Sequence, residues 1–296
     1  MIDVVPLRFG TAFKKAFRDP EVLSAFVRDA TGISVDLKQV QQEYTYKEPI
    51  GRVNVTYDLF AEDTTHRTIV ELQHIRDDDS FDRFLYYHLL AIIEQVHGHA
   101  NYHFDREVIT LVVLTRAPRD PRWRFDLAEL PFDVRDSNGT SLGFFGHRLV
   151  FVNARCVSST TPAALRPWLA VVEDSLDGQV DEKQHPNALI KRVINEIRVE
   201  RLDPNEAMHL AEENGWEIAK KEAREAGHDE GEARGRAAGR AEAIVDLLVS
   251  RNLPVSDAVR TCLFACRDLP RLKQWLLQAT TVASAEALVL EDEATP

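Results

Sequence analysis

An aspartate, a glutamate and a glutamine lie in two segments whose composition predicts neighbouring β-strands. Residues 53–63, VNVTYDLFAED, are rich in β-branched and aromatic side chains and contain Asp58. Residues 67–75, RTIVELQHI, hold Glu71 and Gln73 among apolar residues. Strand side chains alternate between faces, so Glu71 and Gln73 project to the same side. If the two strands form a hairpin across a short turn, Asp58 lies opposite or diagonal to Glu71.

Two carboxylates placed this close repel each other unless a proton or a cation lies between them. Mg²⁺ suits such a pair because it takes oxygen ligands, often one or two carboxylates, and keeps waters and substrate phosphate oxygens. The alternative is structural. Asp58 would then be an edge-strand charge, and Glu71 would pair with Arg67 or Arg83.

The segments around this hairpin predict an α/β fold with helices against one mixed sheet. Apolar spacing predicts one or two helices near the start of the chain, broken near Pro20, and a helix over residues 80–96 capped by Ser80 or one of Asp77–Asp79. Further strands are predicted at residues 40–49, 108–115 and 144–153. The segment 108–115 is almost wholly apolar, which is typical of a strand covered on both faces.

From about residue 163 onward the pattern is helical, and it predicts three regions in the whole chain. These are a nuclease-like domain over 1–180, a charged helical and glycine-repeat linker over 181–245, and a small helical module over 246–296. Glycines recur every four residues at Gly227, Gly231, Gly235 and Gly239. We interpret this repeat as a solvated linker, with a close-packed helix pair between subunits as the alternative.

The composition sets limits on function. The chain has 296 residues, 44% hydrophobic and 28% charged, with no apolar run long enough to span a membrane and no secretory pattern at its start, so a cytoplasmic protein is expected. No glycine-rich phosphate loop follows a strand, so no nucleotide cofactor is expected. The net charge of −12 argues against a simple nucleic-acid binder but not against a nuclease whose site needs carboxylates.

Several short motifs resemble the PD-(D/E)XK nuclease superfamily when taken in order. They are Asp58, then VELQ with Glu71 and Gln73, then FDRFLYYHLL with Arg83, and GHANY ahead of an apolar strand. More narrowly, they are similar to the PD-(D/E)XK nuclease family transposases, whose relatives include the recombination-promoting (Rpn-type) nucleases. The early AFKKAF and the Gly/Arg/Glu-repeating tail fit the same group. The resemblance covers most of residues 9–116.

The resemblance implies a restriction-endonuclease-like mixed sheet flanked by helices, followed by an all-helical C-terminal region. It implies a DNA endonuclease that uses Mg²⁺, or Mn²⁺ in its place, with Asp58 and Glu71 as metal ligands. Gln73 would occupy the place of the usual lysine and orient the attacking water, since it carries no charge. Arg83 is a candidate phosphate contact, with an ion pair to Asp79 or Glu71 as the alternative. Cutting both DNA strands asks for two sites, so a homodimer is expected.

One position departs from the pattern. Relatives often carry an aspartate three residues before the Phe of the FK motif, where this chain has Gly10. Glu43 or Glu48 could substitute as an accessory acid. The departure also supports a second hypothesis, in which the chain keeps the nuclease fold without useful catalysis and acts as a DNA- or protein-binding, self-associating module.

Overall fold

The protein is α/β, and its strands and helices are interspersed along the first 180 residues. A computed structural model describes residues 1–45, 55–74, 81–96, 103–116, 121 and 124–290. The elements are β1 (Ile2–Asp3), α1 (Gly10–Phe17), α2 (Pro20–Thr31), β2 (Gln41–Thr45), β3 (Thr56–Glu62), β4 (His66–Gln73), α3 (Asp82–Ile93), β5 (Glu107–Leu114), β6 (Leu127–Pro131), β7 (Arg148–Asn153), α4 (Arg166–Asp174), β8 (Gln179–Val180), α5 (Ala188–Glu196), α6 (Pro204–Ser250), α7 (Asp257–Ala265), α8 (Leu269–Gln278) and α9 (Ala287–Leu290).

A six-stranded mixed sheet in the order β2-β3-β4-β5-β7-β6 forms the centre of the fold, and β1 pairs with β8 in a small antiparallel sheet. The pairs β2–β3 and β3–β4 are antiparallel, the pairs β4–β5 and β5–β7 are parallel, and β6 is antiparallel to β7. The predicted hairpin is confirmed as β3 and β4. Its turn is closed by Asp63, whose carboxylate accepts the N–H groups of Thr65 and His66.

The structure corrects two expectations about the strands. The strand predicted at 144–153 begins only at Arg148, and β6 was not predicted at all. Its sequence, LAELP, is short, partly exposed and ends in Pro131, as expected at a sheet edge, where no second neighbour demands a run of apolar residues. Of the strand predicted at 40–49, residues 46–49 lie outside the described residues, as do the predicted helix caps at 77–80.

Helices cover both faces of the sheet. On one face α1, α2, α4 and α5 share a large apolar core, at whose centre the rings of Phe17, Phe26 and Trp168 pack at centroid distances of 5.0–6.1 Å. On the other face α3 packs against β5 and β7. β5 is buried on both faces, as its apolar sequence predicts.

Two polar contacts fix α3 to the hairpin. The Tyr57 hydroxyl of β3 donates to the Tyr87 carbonyl oxygen at 3.0 Å. Arg67 of β4, only 6% exposed, forms ion pairs with Glu62 (2.7 Å) and Glu94 (2.5 Å). The hairpin is therefore tied to α3 at the middle of the helix and at its C-terminal end.

The chain divides into two compact units, residues 1–214 and 215–296. The first unit extends past the predicted boundary at 180 because α5 buries Ile190, Val193 and Ile194 in its core. In the second unit the later part of α6 packs with α7, α8 and α9 around Ile244 and Trp275. No helix in the described part of the chain has the length and apolarity needed to cross a bilayer.

The glycine repeat lies inside α6, which is a continuous helix of 47 residues. A Cβ atom at any of the four glycines would meet no other atom within 4 Å. The repeat is thus solvated, as the linker interpretation expects, but helical, and each glycine weakens the helix without a packing reason in this chain.

Gly231→Ala and Gly235→Ala are expected to stabilise the second unit by about 1 kcal/mol each, because alanine restricts the unfolded chain and fits the open space. Urea unfolding followed by circular dichroism measures the change. Gly32→Ala is the opposite control. Gly32 ends α2 in the left-handed region, at a φ of 74°, so a Cβ there should cost about 1 kcal/mol. A loss of stability in the α6 variants would indicate that a second copy packs against these glycines.

Candidate metal centre

The hairpin of β3 and β4 opens at Asp58 and Glu71. The last backbone pair is Leu59 with Val70, and one further step of the register would place Asp58 opposite Glu71. Instead of a ladder pair, the Asp58 N–H donates to Glu71 Oε1 at 3.2 Å, and the Leu72 N–H donates to Asp58 Oδ2 at 2.9 Å. The two carboxylates thus replace backbone acceptors where the strands separate.

Glu71 is buried and Asp58 is partly buried. Glu71 is 5% exposed. Burial, together with the neighbouring charge of Asp58, raises the pKa of Glu71 well above its ordinary value. Burial also raises the pKa of Asp58, although the hydrogen bond from Leu72 opposes the shift. Ionising both groups is therefore costly unless a cation shares their charge.

Gln73, the third predicted residue, lies at the end of β4 and contacts α3. Its side-chain oxygen accepts a hydrogen bond from the Arg83 guanidinium, and its amide nitrogen approaches the His74 carbonyl oxygen at 3.4 Å. The guanidinium also lies over the rings of Phe84 (4.7 Å to the centroid) and Tyr87 (5.8 Å). Arg83 is exposed and keeps other donors that a phosphate could use.

Lys14 of α1 brings a second positive charge to the site. Its Nζ atom binds Glu43 Oε1 at 2.5 Å. On β2, Gln42 and Tyr44 pair with the residues on either side of Asp58. Glu43 lies between them and is therefore opposite Asp58 in register. Glu43 has a φ of 54°, in the left-handed region that glycine favours. Glu43, Asp58 and Glu71 therefore occupy one row across three adjacent strands.

A further carboxylate comes from α6 and lies beside Gly10. Glu213 Oε1 accepts hydrogen bonds from the Thr11 N–H (3.0 Å) and the Thr11 hydroxyl (2.6 Å). A Cβ atom at Gly10 would lie 3.7 and 3.9 Å from its two oxygens. Burial raises the pKa of Asp58, and the charge of Glu213 raises it further. The acid expected on α1 is absent, but an acid from α6 lies next to its place.

The structure brings Asp58 and Glu71 together and connects Arg83 to Gln73 rather than to Glu71. Glu48, the other predicted accessory acid, lies outside the described residues, as does Asp79, the alternative partner of Arg83. Sequence reasoning missed Lys14 and Glu213. The KK pair in AFKKAF gave a weak signal for Lys14, whereas nothing in the helical pattern of residues 204–250 distinguishes Glu213 from its many acidic neighbours.

The donor set fits a hard cation. Asp58 and Glu71 supply oxygen atoms only, which Mg²⁺ prefers, and Mg²⁺ typically keeps several waters and substrate oxygens. Within the described ranges no group of three or more His, Cys, Asp or Glu residues is arranged to hold an ion. Two carboxylates alone would leave the rest of a Mg²⁺ shell to water or substrate.

Comparison with known proteins identifies no relative: no family model, curated protein or solved structure matches this chain. The PD-(D/E)XK assignment stays a prediction from the sequence motifs. What the fold adds is the geometry of the carboxylate pair, which is independent of that assignment.

Proposed function

We propose that the protein is a Mg²⁺-dependent DNA endonuclease of the restriction-endonuclease-like type, with Mn²⁺ able to replace Mg²⁺. The single observation that carries the proposal is the pair of adjacent acids at the opening of the β3–β4 hairpin, the buried Glu71 and the partly buried Asp58. Proteins rarely bury two adjacent acids without a partner for their charge, and a cleft cation is the usual functional partner. The mixed sheet with helices on both faces is compatible with this class.

Each residue of the site has a distinct role in phosphodiester hydrolysis. Asp58 and Glu71 would hold the cation, and a bound divalent ion would supply polarisation of the phosphoryl group and a water of lowered pKa. Gln73 orients that water by hydrogen bonding, and its contact with Arg83 limits the directions its amide can take. Arg83 contacts the phosphate with the donors that Gln73 leaves free. A homodimer would supply the second site that double-strand cleavage needs, in a cytoplasmic setting linked to transposition or recombination.

A second candidate function is a nuclease-fold binding module without useful catalysis. The net charge of −12 favours it, since strong DNA binding normally requires a basic surface. Cation binding separates the two functions. A ligand that binds only the folded state raises the midpoint of thermal unfolding, so a nuclease should show a Mg²⁺- or Mn²⁺-dependent shift.

Plasmid nicking tests the proposal directly. The purified protein is incubated with supercoiled DNA in Mg²⁺, Mn²⁺ or EDTA, and we expect cutting that requires the divalent ion and falls by at least about 100-fold in Asp58→Asn. Asp36→Asn is the matched control, because Asp36 is an exposed surface acid paired with Lys38. If neither the wild type nor the variant cuts the plasmid, and no divalent cation shifts thermal unfolding, the binding module is favoured.

A further inference from the structure

Positive charge reaches the carboxylate pair from both faces of the sheet. Lys14 comes from α1, which shares its core with Val70, and Arg83 comes from α3, which shares its core with Ile69. Val70 and Ile69 are consecutive on β4 and project to opposite faces. The two cationic residues therefore approach the opened hairpin from opposite sides.

The position of Lys14 is held by its neighbours. Its side chain is 15% exposed, although the Glu43 side chain that binds it is 68% exposed. Glu43 reaches it from a backbone conformation that few non-glycine residues adopt, a kind of outlier that clusters at functional sites. Lys38, by comparison, pairs with Asp36 at 2.7 Å with both side chains exposed. The Lys14 ammonium group is thus held in a defined position, unlike that of a freely moving surface lysine.

The charge of each cation acts on both acids. Burial and the charge of Asp58 raise the pKa of Glu71, whereas the charges of Arg83 and Lys14 lower it. Burial likewise raises the pKa of Asp58, and the charges of Lys14 and Arg83 again oppose the rise. The contacts place both positive charges beside the pair. Arg83 binds Gln73, two residues beyond Glu71 on β4. Lys14 binds Glu43, which is opposite Asp58 in register.

We infer that Lys14 and Arg83 hold one phosphodiester of a nucleic-acid strand between them, over Asp58 and Glu71. The inference rests on the proposed function and gives Lys14 a role in binding phosphate. Ammonium and guanidinium groups are the principal phosphate contacts of proteins. Lys14 would supply, from α1, the positive charge that Gln73 cannot carry on β4. The strand would then pass between α1 and α3, across the opened end of the hairpin.

The salt dependence of DNA binding tests the contact. Binding of a fluorescent duplex is measured at several salt concentrations in a Glu71→Gln background, which prevents cutting. Each lost phosphate contact should reduce the slope of log K against log salt by about 0.9. We expect this reduction in Lys14→Met and in Arg83→Met, and little change in Lys14→Arg. Lys38→Met is the matched lysine control and should leave the slope unchanged.

Cation binding without DNA gives an independent readout. The Lys14 charge repels a divalent ion that binds at the pair. Lys14→Met should therefore bind Mg²⁺ at least about threefold more tightly than wild type, as measured by calorimetry. Glu43→Gln keeps the Lys14 charge and should retain the DNA slope. If Lys14 serves only to anchor Glu43, the slope should not change in Lys14→Met.

The outcomes separate the two levels of the proposal. One outcome is that wild type nicks DNA while the slope and the Mg²⁺ affinity of Lys14→Met both match those of wild type. This result would overturn the phosphate contact but not the endonuclease. A wild type that neither binds the divalent ion nor cuts DNA would overturn the endonuclease, and with it this inference. A reduced slope together with tighter Mg²⁺ binding supports both.

Discussion

Replacing Glu71 by glutamine is expected to reduce nicking by at least about 1,000-fold and, in EDTA, to make the protein more stable. Glutamine has nearly the same shape, and its oxygen can still accept the Asp58 N–H. It removes the buried member of a pair of adjacent acids whose charges are costly without a cation, the other member being partly buried. We expect a gain of about 1–2 kcal/mol near neutral pH, or a few degrees in Tm.

The pH dependence follows from the direction of the shift. Burial, then the charge of Asp58, raises the pKa of Glu71 in the folded state above its unfolded value. Between those two values the folded state binds more protons than the unfolded state, so wild-type stability falls as pH rises through that window. In Glu71→Gln this decline should become smaller. Thermal unfolding in EDTA at mildly acidic and neutral pH measures the difference.

Glu200→Gln provides the control for this experiment, because Glu200 is a highly exposed glutamate whose nearest cation is Arg198. It should change neither nicking nor the pH dependence. Lower stability of Glu71→Gln in EDTA would contradict the view that the carboxylate pair is strained without a cation. Unchanged nicking would leave Glu71 without a catalytic role.

Arg67→Met is expected to cost about 3–5 kcal/mol, the largest loss of stability predicted for a single substitution in this chain. Methionine keeps the apolar stem but removes the guanidinium that pairs with Glu62 and Glu94 and donates to the Ala91 carbonyl oxygen. Two partly buried glutamates then lose their counter-ion. Urea unfolding measures the loss, and nicking should fall too, since α3 carries Arg83.

An exposed arginine serves as the comparison. Arg234 forms an i,i+4 ion pair with Glu230 on the surface of α6, both side chains more than 60% exposed. Arg234→Met should change stability by no more than about 0.5 kcal/mol. If Arg67→Met and Arg234→Met proved equally mild, burial of the Arg67 network would not be what fixes α3 to the hairpin.

The sequence predicted the parts of this fold that depend on local pattern. Period-two alternation and the polar turn gave β3 and β4, and the count of residues across that turn placed Asp58 opposite or diagonal to Glu71. Helical spacing gave α3, and the apolar run gave β5. These elements are correct because each is specified by neighbours within a few positions.

The residues that were missed depend on contacts between distant segments. Lys14 reaches the site only because α1 packs against β3, and Glu213 only because α6 returns to the start of α1. β6 is a strand through its pairing with β7, not through its own composition. No window of the sequence carries such information, since helix packing fixes which of many charged side chains lie near the carboxylate pair.

The hydrogen bonds from Thr11 to Glu213 also impose an order on how the protein can be made. They join positions 202 residues apart, and the neighbouring bond from Lys15 to Arg201 spans 186. These two bonds can form only after residues 201 and 213 have been synthesised, so on a growing chain α1 is held only by its contacts with earlier segments such as β3. If the protein is the endonuclease proposed above, an activity that depends on these bonds would appear only after the start of α6 has been made, and unfinished chains would not cut DNA.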